Sequence, residues 1–229
     1  MDINKKYNQI VEEAINYLRT GFREQTGFKK QADTYPPKKA AAKEEQLDKI
    51  NNEILSCTTC PLHLSRINAV PGKGAVNADI IFIGEGPGEM EDIKGEPFVG
   101  RAGELLTKML AAINLKREEV YITNIVKCRP PNNRTPLPEE VDRCFPYLDK
   151  QIDLIDPLII CSLGGPAAHA LLGTNTVISK LRGTIHQYKD TPLIPTFHPA
   201  AVLRFPEKYK RHVWNDLKLL RDYYKDIKK

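Results

Sequence analysis

The segment that decides the fold spans residues 79–113 and reads DIIFIGEGPGEMEDIKGEPFVGRAGELLTKMLAAI. It opens with a continuous apolar run (DIIFI), crosses a glycine-rich loop at residues 84–103, and closes with apolar residues at helical spacing. Such a run predicts a strand covered on both faces, as in a parallel sheet between helices. The loop has the position of a phosphate-binding turn, but its carboxylates would repel a phosphate. Its acidic residues and its one aromatic residue are Glu85, Glu89, Glu91, Asp92, Glu96 and Phe98.

The same alternation of strand and helix continues to the C-terminus. Further apolar runs occupy residues 120–124, 158–163 and 193–197, and helical patterns occupy residues 101–114, 138–153, 165–172 and 207–224. This order predicts an α/β fold, a three-layer α/β/α sandwich with a central four-stranded parallel sheet. Because sites in open parallel sheets lie beyond the carboxyl ends of the strands, the loops that follow these runs are expected to face one cleft.

The N-terminal part of the chain has a different composition. Residues 1–28 carry apolar side chains at the spacing of an amphipathic helix, and residues 29–45 are rich in Lys, Pro and Ala, as in an exposed linker. A further helix is predicted at about residues 44–55. We therefore expect an N-terminal helical extension and linker at residues 1–45 and one α/β domain at residues 46–229, with residues 1–28 available to a protein partner.

Composition and charge are those of an ordinary globular protein of 229 residues, 41% hydrophobic and 28% charged. No apolar run approaches the roughly 20 residues that span a bilayer, and the N-terminus lacks the apolar core of a secretory signal, so a cytoplasmic monomer without a membrane partner is expected. The net charge of +5 is mild, but residues 204–229 hold nine Lys and Arg against four Asp and Glu. A basic helix near a cleft suits a polyanion such as nucleic acid.

Four of the five cysteines form two pairs, and the fifth, Cys161, lies inside an apolar run, where a buried thiol is expected. The pairs are Cys57-x2-Cys60 and Cys128-x15-Cys144. Zinc and a [4Fe-4S] cluster both accept four thiolates, and the wide second pair favours the cluster without excluding zinc. Four unconnected core cysteines are the third interpretation, which the polar surroundings of the first pair disfavour.

The glycine loop does not match the common nucleotide-binding motifs. Gly84, Gly86 and Gly88 form G-x-G-x-G rather than the dinucleotide fingerprint, and the Walker lysine is absent. The pattern favours a flat, neutral ligand approached by main-chain N–H groups, with a carboxylate available to orient water. Phe98 is either a core residue or a stacking platform for a planar ring.

Two polar residues lie at the ends of predicted strands. Asn124 ends the second strand, where its amide either caps the next turn or presents a donor and an acceptor to the edge of a base. His198 follows the fourth strand and precedes a proline, a position that favours a catalytic or ligand-binding role over burial in the core. Together with Phe98 these residues predict a pocket for one nucleobase removed from its stack.

Three stretches and the cysteine pattern resemble the iron–sulfur uracil-DNA glycosylases known as family 4. The stretches are GEGPGEMEDIKGEPFVGRAG, VYITNIVKCRPPNNRTP and FHPAAVLR, and the resemblance runs from about Cys57 to the C-terminus. It implies an enzyme that flips uracil out of single- or double-stranded DNA and hydrolyses the N-glycosidic bond, leaving an abasic site for base excision repair. It also implies a [4Fe-4S] cluster whose ligands are Cys57, Cys60, Cys128 and Cys144.

The resemblance assigns the base-recognition roles residue by residue. Phe98 would stack on the flipped uracil, and Asn124 would read its N3–H and O4 edge and so reject cytosine. Gly84 and the main chain of Glu85 and Gly86 would complete the pocket.

For the reaction, the resemblance implies that His198 stabilises the uracil anion as it leaves. Glu85 or Glu91 would hold the attacking water, and the sequence does not rank them. Other branches of the superfamily place an acid where this chain has Gly86, so charge stabilisation is expected to dominate.

The DNA-binding residues are also carried over. Arg129 and Arg134 would contact phosphates, Leu203 would fill the gap left by the flipped nucleotide, and Arg204 would bind a neighbouring phosphate. Two alternatives remain: a non-catalytic accessory protein that binds uracil or DNA and carries an iron–sulfur cluster, and an enzyme acting on free nucleotides.

Overall fold

The computed structural model describes the backbone of residues 37–229 and the side chains of residues 41–229. One sheet lies between two layers of helices, and its strand order is β1-β3-β2-β4-β6-β5. The strands are β1 (Lys73–Gly74), β2 (Ile80–Gly84), β3 (Tyr121–Asn124), β4 (Ile159–Leu163), β5 (His186–Tyr188) and β6 (Thr191–Thr196).

Within this part of the chain the helices are α1 (Pro37–Leu55), α2 (Glu89–Lys94), α3 (Arg101–Ala112), α4 (Pro138–Ile155), α5 (Gly165–Leu172), α6 (Ile178–Leu181), α7 (Pro199–Arg204) and α8 (Pro206–Ile227). Short 3-10 turns cover Pro61–Leu64, Arg117–Glu119 and Pro131–Asn133.

The α/β class and the parallel centre of the sheet are confirmed, but the four-stranded prediction is too small. Strands β3, β2, β4 and β6 pair in parallel, as the apolar runs predict. Two antiparallel strands extend the edges, β1 on β3 and β5 on β6, so the sheet of the described residues is mixed and has six strands. These edge strands are only two and three residues long, too short to show a hydrophobic period.

The core lies on both faces of the sheet because consecutive strand residues point to opposite sides. Along β2, Ile81 and Ile83 pack towards α1, α4 and α5, whereas Ile80 and Phe82 pack towards α3 and α8. All four are fully buried. This double burial explains why the strand reads as one continuous apolar run, and it confirms the predicted three layers.

Helix α1 begins at Pro37, earlier than the predicted start near residue 44. Proline is favoured in the first turn of a helix, and the Lys and Ala residues that follow are good helix formers, so part of the predicted linker is helical. The predicted helix within residues 1–28 lies outside the described residues, and the domain division at residue 45 stays a prediction. Among the described helices, none is long and apolar enough to cross a membrane.

Candidate active site

The site forms where β2 and β3 end side by side. Gly84 and Asn124 are register partners, and Ile125 N–H donates to the Gly84 carbonyl at 2.9 Å. A β-carbon on Gly84 would overlap Asn124 Oδ1 and would come within 2.6 Å of Phe98 Cζ. The glycine therefore allows an amide and an aromatic ring to approach the same strand end.

Phe98 forms one wall of this pocket. Its side chain is 6% exposed, and its backbone has φ of 52°, a left-handed conformation that is rare for a bulky residue. Glu91 Oε1 fixes the turn by accepting the N–H groups of Val99 and Gly100, both at 2.8 Å. The ring centroid of Phe98 lies 5.6 Å from that of His198, with the planes 33° apart.

Asn124 carries an unsatisfied buried acceptor. Its side chain is 1% exposed, and Oδ1 has no hydrogen-bond partner within the described part of the chain. Leaving a buried polar atom unpaired costs about 1–3 kcal/mol, so such atoms in native proteins call for an explanation. A ligand that donates a hydrogen bond at this point would satisfy it.

His198 is held as a neutral hydrogen-bond donor. Its Nδ1 accepts the N–H of Ala200 at 3.1 Å at the start of α7, which leaves the ring proton on Nε2. Burial lowers the pKa of His198 to about 4, against a smaller raising effect of Glu91. The imidazole is therefore uncharged at neutral pH and can donate through Nε2.

A buried ion pair fixes the strand end that carries His198. Asp216 on α8 accepts hydrogen bonds from the Thr196 hydroxyl at 2.7 Å and from Arg182 Nε at 2.8 Å. The Arg182 guanidinium also lies 5.9 Å from the ring centroid of Phe197. Thr196 is thus bonded directly to α8, and Phe197 packs against the arginine that pairs with Asp216.

Four of the five carboxylates in the glycine loop pair with main-chain N–H groups or with basic side chains. Glu91 Oε2 accepts Gly88 N–H at 3.1 Å, in addition to its two bonds to the Phe98 turn. Asp92 accepts the N–H groups of Ile67 and Asn68 at 2.8 and 3.1 Å. Glu96 pairs with Lys73 at 2.6 Å, and Glu89 lies 3.6 Å from Arg129. The acidic loop is therefore braced by its own carboxylates.

Glu85 differs from these four residues. It directly follows Gly84 at the end of β2 and is half-buried. Burial raises the pKa of Glu85 above its ordinary value, and a hydrogen bond with Thr135 opposes the shift. A desolvated carboxylate beside the strand ends is suited to hold a water molecule.

The four paired cysteines, which the sequence predicts as ligands of a cluster or of zinc, line one cavity. The cavity lies between the end of α1, the 3-10 turn at Pro61–Leu64, the segment after β3, and α4. All five cysteines are free thiols. Within residues 41–229, no group of three His, Cys, Asp or Glu side chains is arranged to hold a single metal ion. The cavity residues Cys57, Cys60, Cys128 and Cys144 match the donor set of a cluster held by four thiolates.

Hydrogen-bond donors surround these sulfurs. Arg66 Nη1 donates to Cys128 Sγ at 2.9 Å, and Lys127 N–H donates to Cys144 Sγ at 3.3 Å. Burial raises the pKa of the Cys144 thiol to about 11, with Lys127 opposing the shift. Buried thiols of this kind become thiolates when a metal supplies positive charge, which fits a metal-bound state.

Comparison with known proteins agrees with this arrangement. Residues 71–218 match the family model described as the Uracil DNA glycosylase superfamily. The chain belongs to this superfamily. It is 50% identical over 171 residues to a type-4 uracil-DNA glycosylase of Archaeoglobus fulgidus, covering 71% of this chain and 86% of the relative. It is 45% identical over 186 residues to a type-4 uracil-DNA glycosylase of Thermotoga maritima, covering 80% of this chain and 97% of the relative.

These relatives confirm the predicted resemblance to the family 4 uracil-DNA glycosylases. The structure of this superfamily member brings Gly84, Phe98, Asn124 and His198 into one pocket. Gly86 follows two residues after Gly84, and a β-carbon there would lie 2.8 Å from Val126 Cγ2. A side chain at this position would therefore have to displace Val126.

The residues of this chain that are predicted to bind DNA differ in their exposure to solvent. Arg129 bonds Asn133 at 2.8 Å and is mostly covered, whereas Arg204 at the end of α7 is exposed. Arg134 forms a bidentate ion pair with buried Glu140, at 2.6 and 2.8 Å, and its side chain is 37% exposed. Leu203 is half-buried, and the following Phe205 is 53% exposed.

Sequence reasoning missed three residues that organise the site of this superfamily member. Lys127 and Arg66 contact cysteine sulfurs, and Asp216 anchors the strand end before His198. One signal was available for Lys127, since a lysine between an apolar strand and a cysteine is poorly placed for solvent exposure. Arg66 and Asp216 lie in ordinary polar and helical sequence, and only the fold brings them to the site.

Proposed function

We propose that this chain is a uracil-DNA glycosylase that extrudes uracil from DNA and hydrolyses the bond between uracil N1 and deoxyribose C1′. The observation that carries the proposal is the buried, unpaired Asn124 Oδ1 beside the Phe98 ring and the neutral His198 imidazole. An unpaired acceptor, a flat apolar face and a fixed donor together match one flipped pyrimidine.

Asn124 reads the base. Uracil presents a donor at N3 and an acceptor at O4, so Oδ1 accepts N3–H while Nδ2 donates to O4. Cytosine presents the reverse pattern, an acceptor at N3 and an amino donor at C4, and would leave both buried groups of Asn124 facing like partners. Phe98 stacks on the ring of either base and contributes affinity without discrimination.

His198 stabilises the leaving group. As the N1–C1′ bond breaks, its electron pair moves to uracil, and the negative charge is shared with O2. A neutral Nε2–H donates to that oxygen, together with the main-chain N–H groups of Glu85 and Gly86. Removing one such donor typically lowers the rate by about 10²–10³.

Glu85 holds the attacking water. Glu85 directly follows the end of β2 and bonds the Thr135 side chain, whereas both oxygens of Glu91 already accept main-chain N–H groups. The water oxygen attacks C1′ as uracil departs, and its proton passes to the carboxylate or to solvent. The products are free uracil and an abasic site.

The DNA backbone is bound around this pocket. Exposed Arg204 and the partly covered Arg129 bind phosphates, and Leu203 enters the space left by the extruded nucleotide. Arg134 contributes through the part of its guanidinium that Glu140 leaves exposed. Unstacking costs a few kcal/mol and least for a mispaired base, so uracil opposite guanine is released at least as readily as uracil opposite adenine.

Cys57, Cys60, Cys128 and Cys144 would hold a [4Fe-4S] cluster. When bound, the cluster ties the end of α1, the segment after β3 and α4 into one unit. The donors from Arg66 and from the Lys127 main chain neutralise part of the charge on its thiolates. The base chemistry described above uses none of these sulfurs.

The proposal is tested by incubating the protein with a uracil-containing oligonucleotide and then with alkali. Strand cleavage at the uracil position, with free uracil released in equal amount, is the expected result. Binding without cleavage would instead identify an accessory DNA-binding protein. Activity on dUMP with little dependence on salt would identify an enzyme of free nucleotides, because duplex binding weakens steeply as salt increases.

A further inference from the structure

Lys127 is a buried lysine that the proposed reaction does not use. Its side chain is 1% exposed, and it lies between the base-reading Asn124 and the cluster ligand Cys128. Its Nζ donates three hydrogen bonds: to Thr123 Oγ1 at 2.6 Å, to the Asn124 main-chain oxygen at 2.9 Å and to Gln151 Oε1 at 2.7 Å. Lysine is almost never fully buried unless its amine is paired. A fully paired, buried lysine between Asn124 and Cys128 therefore suggests a role at this position.

The acceptors around Lys127 are fixed by further bonds. The Thr123 hydroxyl donates to Pro71 O at 2.7 Å, the shorter of its two contacts, so Oγ1 is left to accept. Gln151 Nε2 donates to Pro71 O at 3.0 Å and to the Tyr121 hydroxyl at 3.2 Å, which turns its carbonyl oxygen towards the lysine. Three donors therefore meet three acceptors with little freedom to rearrange.

The same residue also contacts the cysteine site. Lys127 N–H donates to Cys144 Sγ at 3.3 Å. Cys144 and Gln151 both lie on α4, two helical turns apart, and so share one face of that helix. The main-chain N–H of Lys127 contacts Cys144 on this face, and its Nζ contacts Gln151 on the same face. The Nζ also donates to the main-chain oxygen of Asn124. Lys127 is thus the junction between the cluster-bearing helix and the end of β3.

We propose that Lys127 is a positioning residue that fixes the orientation of Asn124 by linking it to the cysteine-bearing helix α4. The inference rests on the proposed role of Asn124 in uracil recognition. By holding the Asn124 carbonyl, the lysine fixes the peptide from which the carboxamide projects into the pocket. Without it, uracil recognition weakens, while phosphate contacts made elsewhere on the surface remain.

The test measures binding of free uracil, so it does not depend on turnover. Equilibrium dialysis with labelled uracil compares the wild-type protein with Lys127→Met and Lys127→Gln. The control is Tyr121→Phe, which removes a buried hydroxyl from the same network without touching Asn124. We expect the uracil Kd to rise about tenfold or more in Lys127→Met, less in Lys127→Gln, and within about twofold in Tyr121→Phe.

Three further readouts separate positioning from a purely structural role. Iron content and the Kd for uracil-free DNA are expected to stay at wild-type values in Lys127→Met. In an Asn124→Ala background, Lys127→Met is expected to add no further loss of uracil affinity, because the two residues act on one contact. Wild-type uracil affinity in Lys127→Met, a loss that follows iron content, or failure of both lysine variants to fold would overturn the proposal. Failure of the proposed function would instead appear as no uracil release by the wild-type protein.

Discussion

Gly84 and Asn124 are register partners at the carboxyl ends of β2 and β3, and no β-carbon fits on Gly84 without overlapping Asn124 Oδ1. The same atom would lie 2.6 Å from Phe98 Cζ. The glycine is required by these two side chains and not by its own backbone, because its φ is outside the left-handed region. The pocket therefore depends on the absence of a side chain at this position.

Gly84→Ala is expected to lower kcat/KM for uracil excision by about 10²-fold, because Asn124 and Phe98 must move away from the base. The matched control is Gly165→Ala, whose β-carbon would lie at an ordinary 3.6 Å from the nearest side chain. Steady-state kinetics on a uracil-containing oligonucleotide and thermal unfolding of both variants check this. A wild-type kcat/KM in Gly84→Ala would contradict the claim that a β-carbon at this position displaces Asn124 and Phe98.

Substitution of Glu85 is expected to change the reaction rate, whereas substitution of Glu91 is expected to change the stability of the fold. Glu85→Gln should lower kcat, because an amide cannot take up the proton of the attacking water, and should change Tm little, because the Thr135 side chain can still hydrogen-bond the glutamine. Glu91→Gln should lower the free energy of unfolding by about 1–3 kcal/mol, because one amide nitrogen would replace an oxygen that accepts main-chain N–H groups. Exposed Glu89→Gln is the control for both. If Glu91→Gln instead lowered kcat without changing Tm, Glu91 and not Glu85 would be the residue that holds the water.

The low pKa of His198 predicts a pH-dependent stability. Because burial lowers this pKa from 6.5 to about 4, unfolding takes up a proton between these values. The contribution is fully present above pH 6.5, is lost as pH falls towards 4, and amounts to at most ~3 kcal/mol. Chemical denaturation at several pH values should show His198→Gln losing less stability than the wild type across this window. Equal pH dependence in both proteins would show that His198 is not held neutral.

Arg66 is expected to protect the cluster through its bond to Cys128. Arg66→Met removes a charged donor 2.9 Å from the sulfur, so iron should be released to a chelator several-fold faster. Arg143→Met is the control, since Arg143 bonds the main-chain oxygen of Thr59 in the same region. Decay of the absorbance near about 400 nm that is expected of an iron–sulfur protein measures the loss. Equal rates of absorbance loss in the two variants would show that the bond from Arg66 to Cys128 does not protect the cluster.

Much of the fold could be predicted because its main elements are long or continuously apolar. The strands at Ile80–Gly84 and Ile159–Leu163 are buried on both faces, and α4 keeps its apolar stripe for its whole length. The edge strands were missed because two or three residues carry no period. The early start of α1 was missed because a Lys- and Ala-rich segment suits a helix as well as a linker.

The sequence predicts which side chains come together at the strand ends, but not the hydrogen-bond partners that each of them has there. Asn124 ends β3 and His198 follows β6, and the carboxyl ends of parallel strands lie at one edge of a sheet, so the sequence predicts that both face one cleft. In the structure β2 and β4 lie between these two strands, and the Phe98 ring lies between the two side chains. Ranking Glu85 against Glu91 required the conformation of the loop, because only the folded turn presents three N–H groups to Glu91. The pairing of Arg134 with Glu140 likewise depends on where α4 begins.

The most direct test is the single-turnover excision of uracil and of 5-fluorouracil from otherwise identical oligonucleotides by the wild-type and His198→Ala proteins. Fluorine stabilises the departing pyrimidine anion, so a protein without its donor to O2 should lose less on the fluorinated base. The account predicts a loss of about 10²–10³ on uracil and a clearly smaller loss on 5-fluorouracil. An equal loss on both bases would contradict the claim that His198 stabilises the leaving anion.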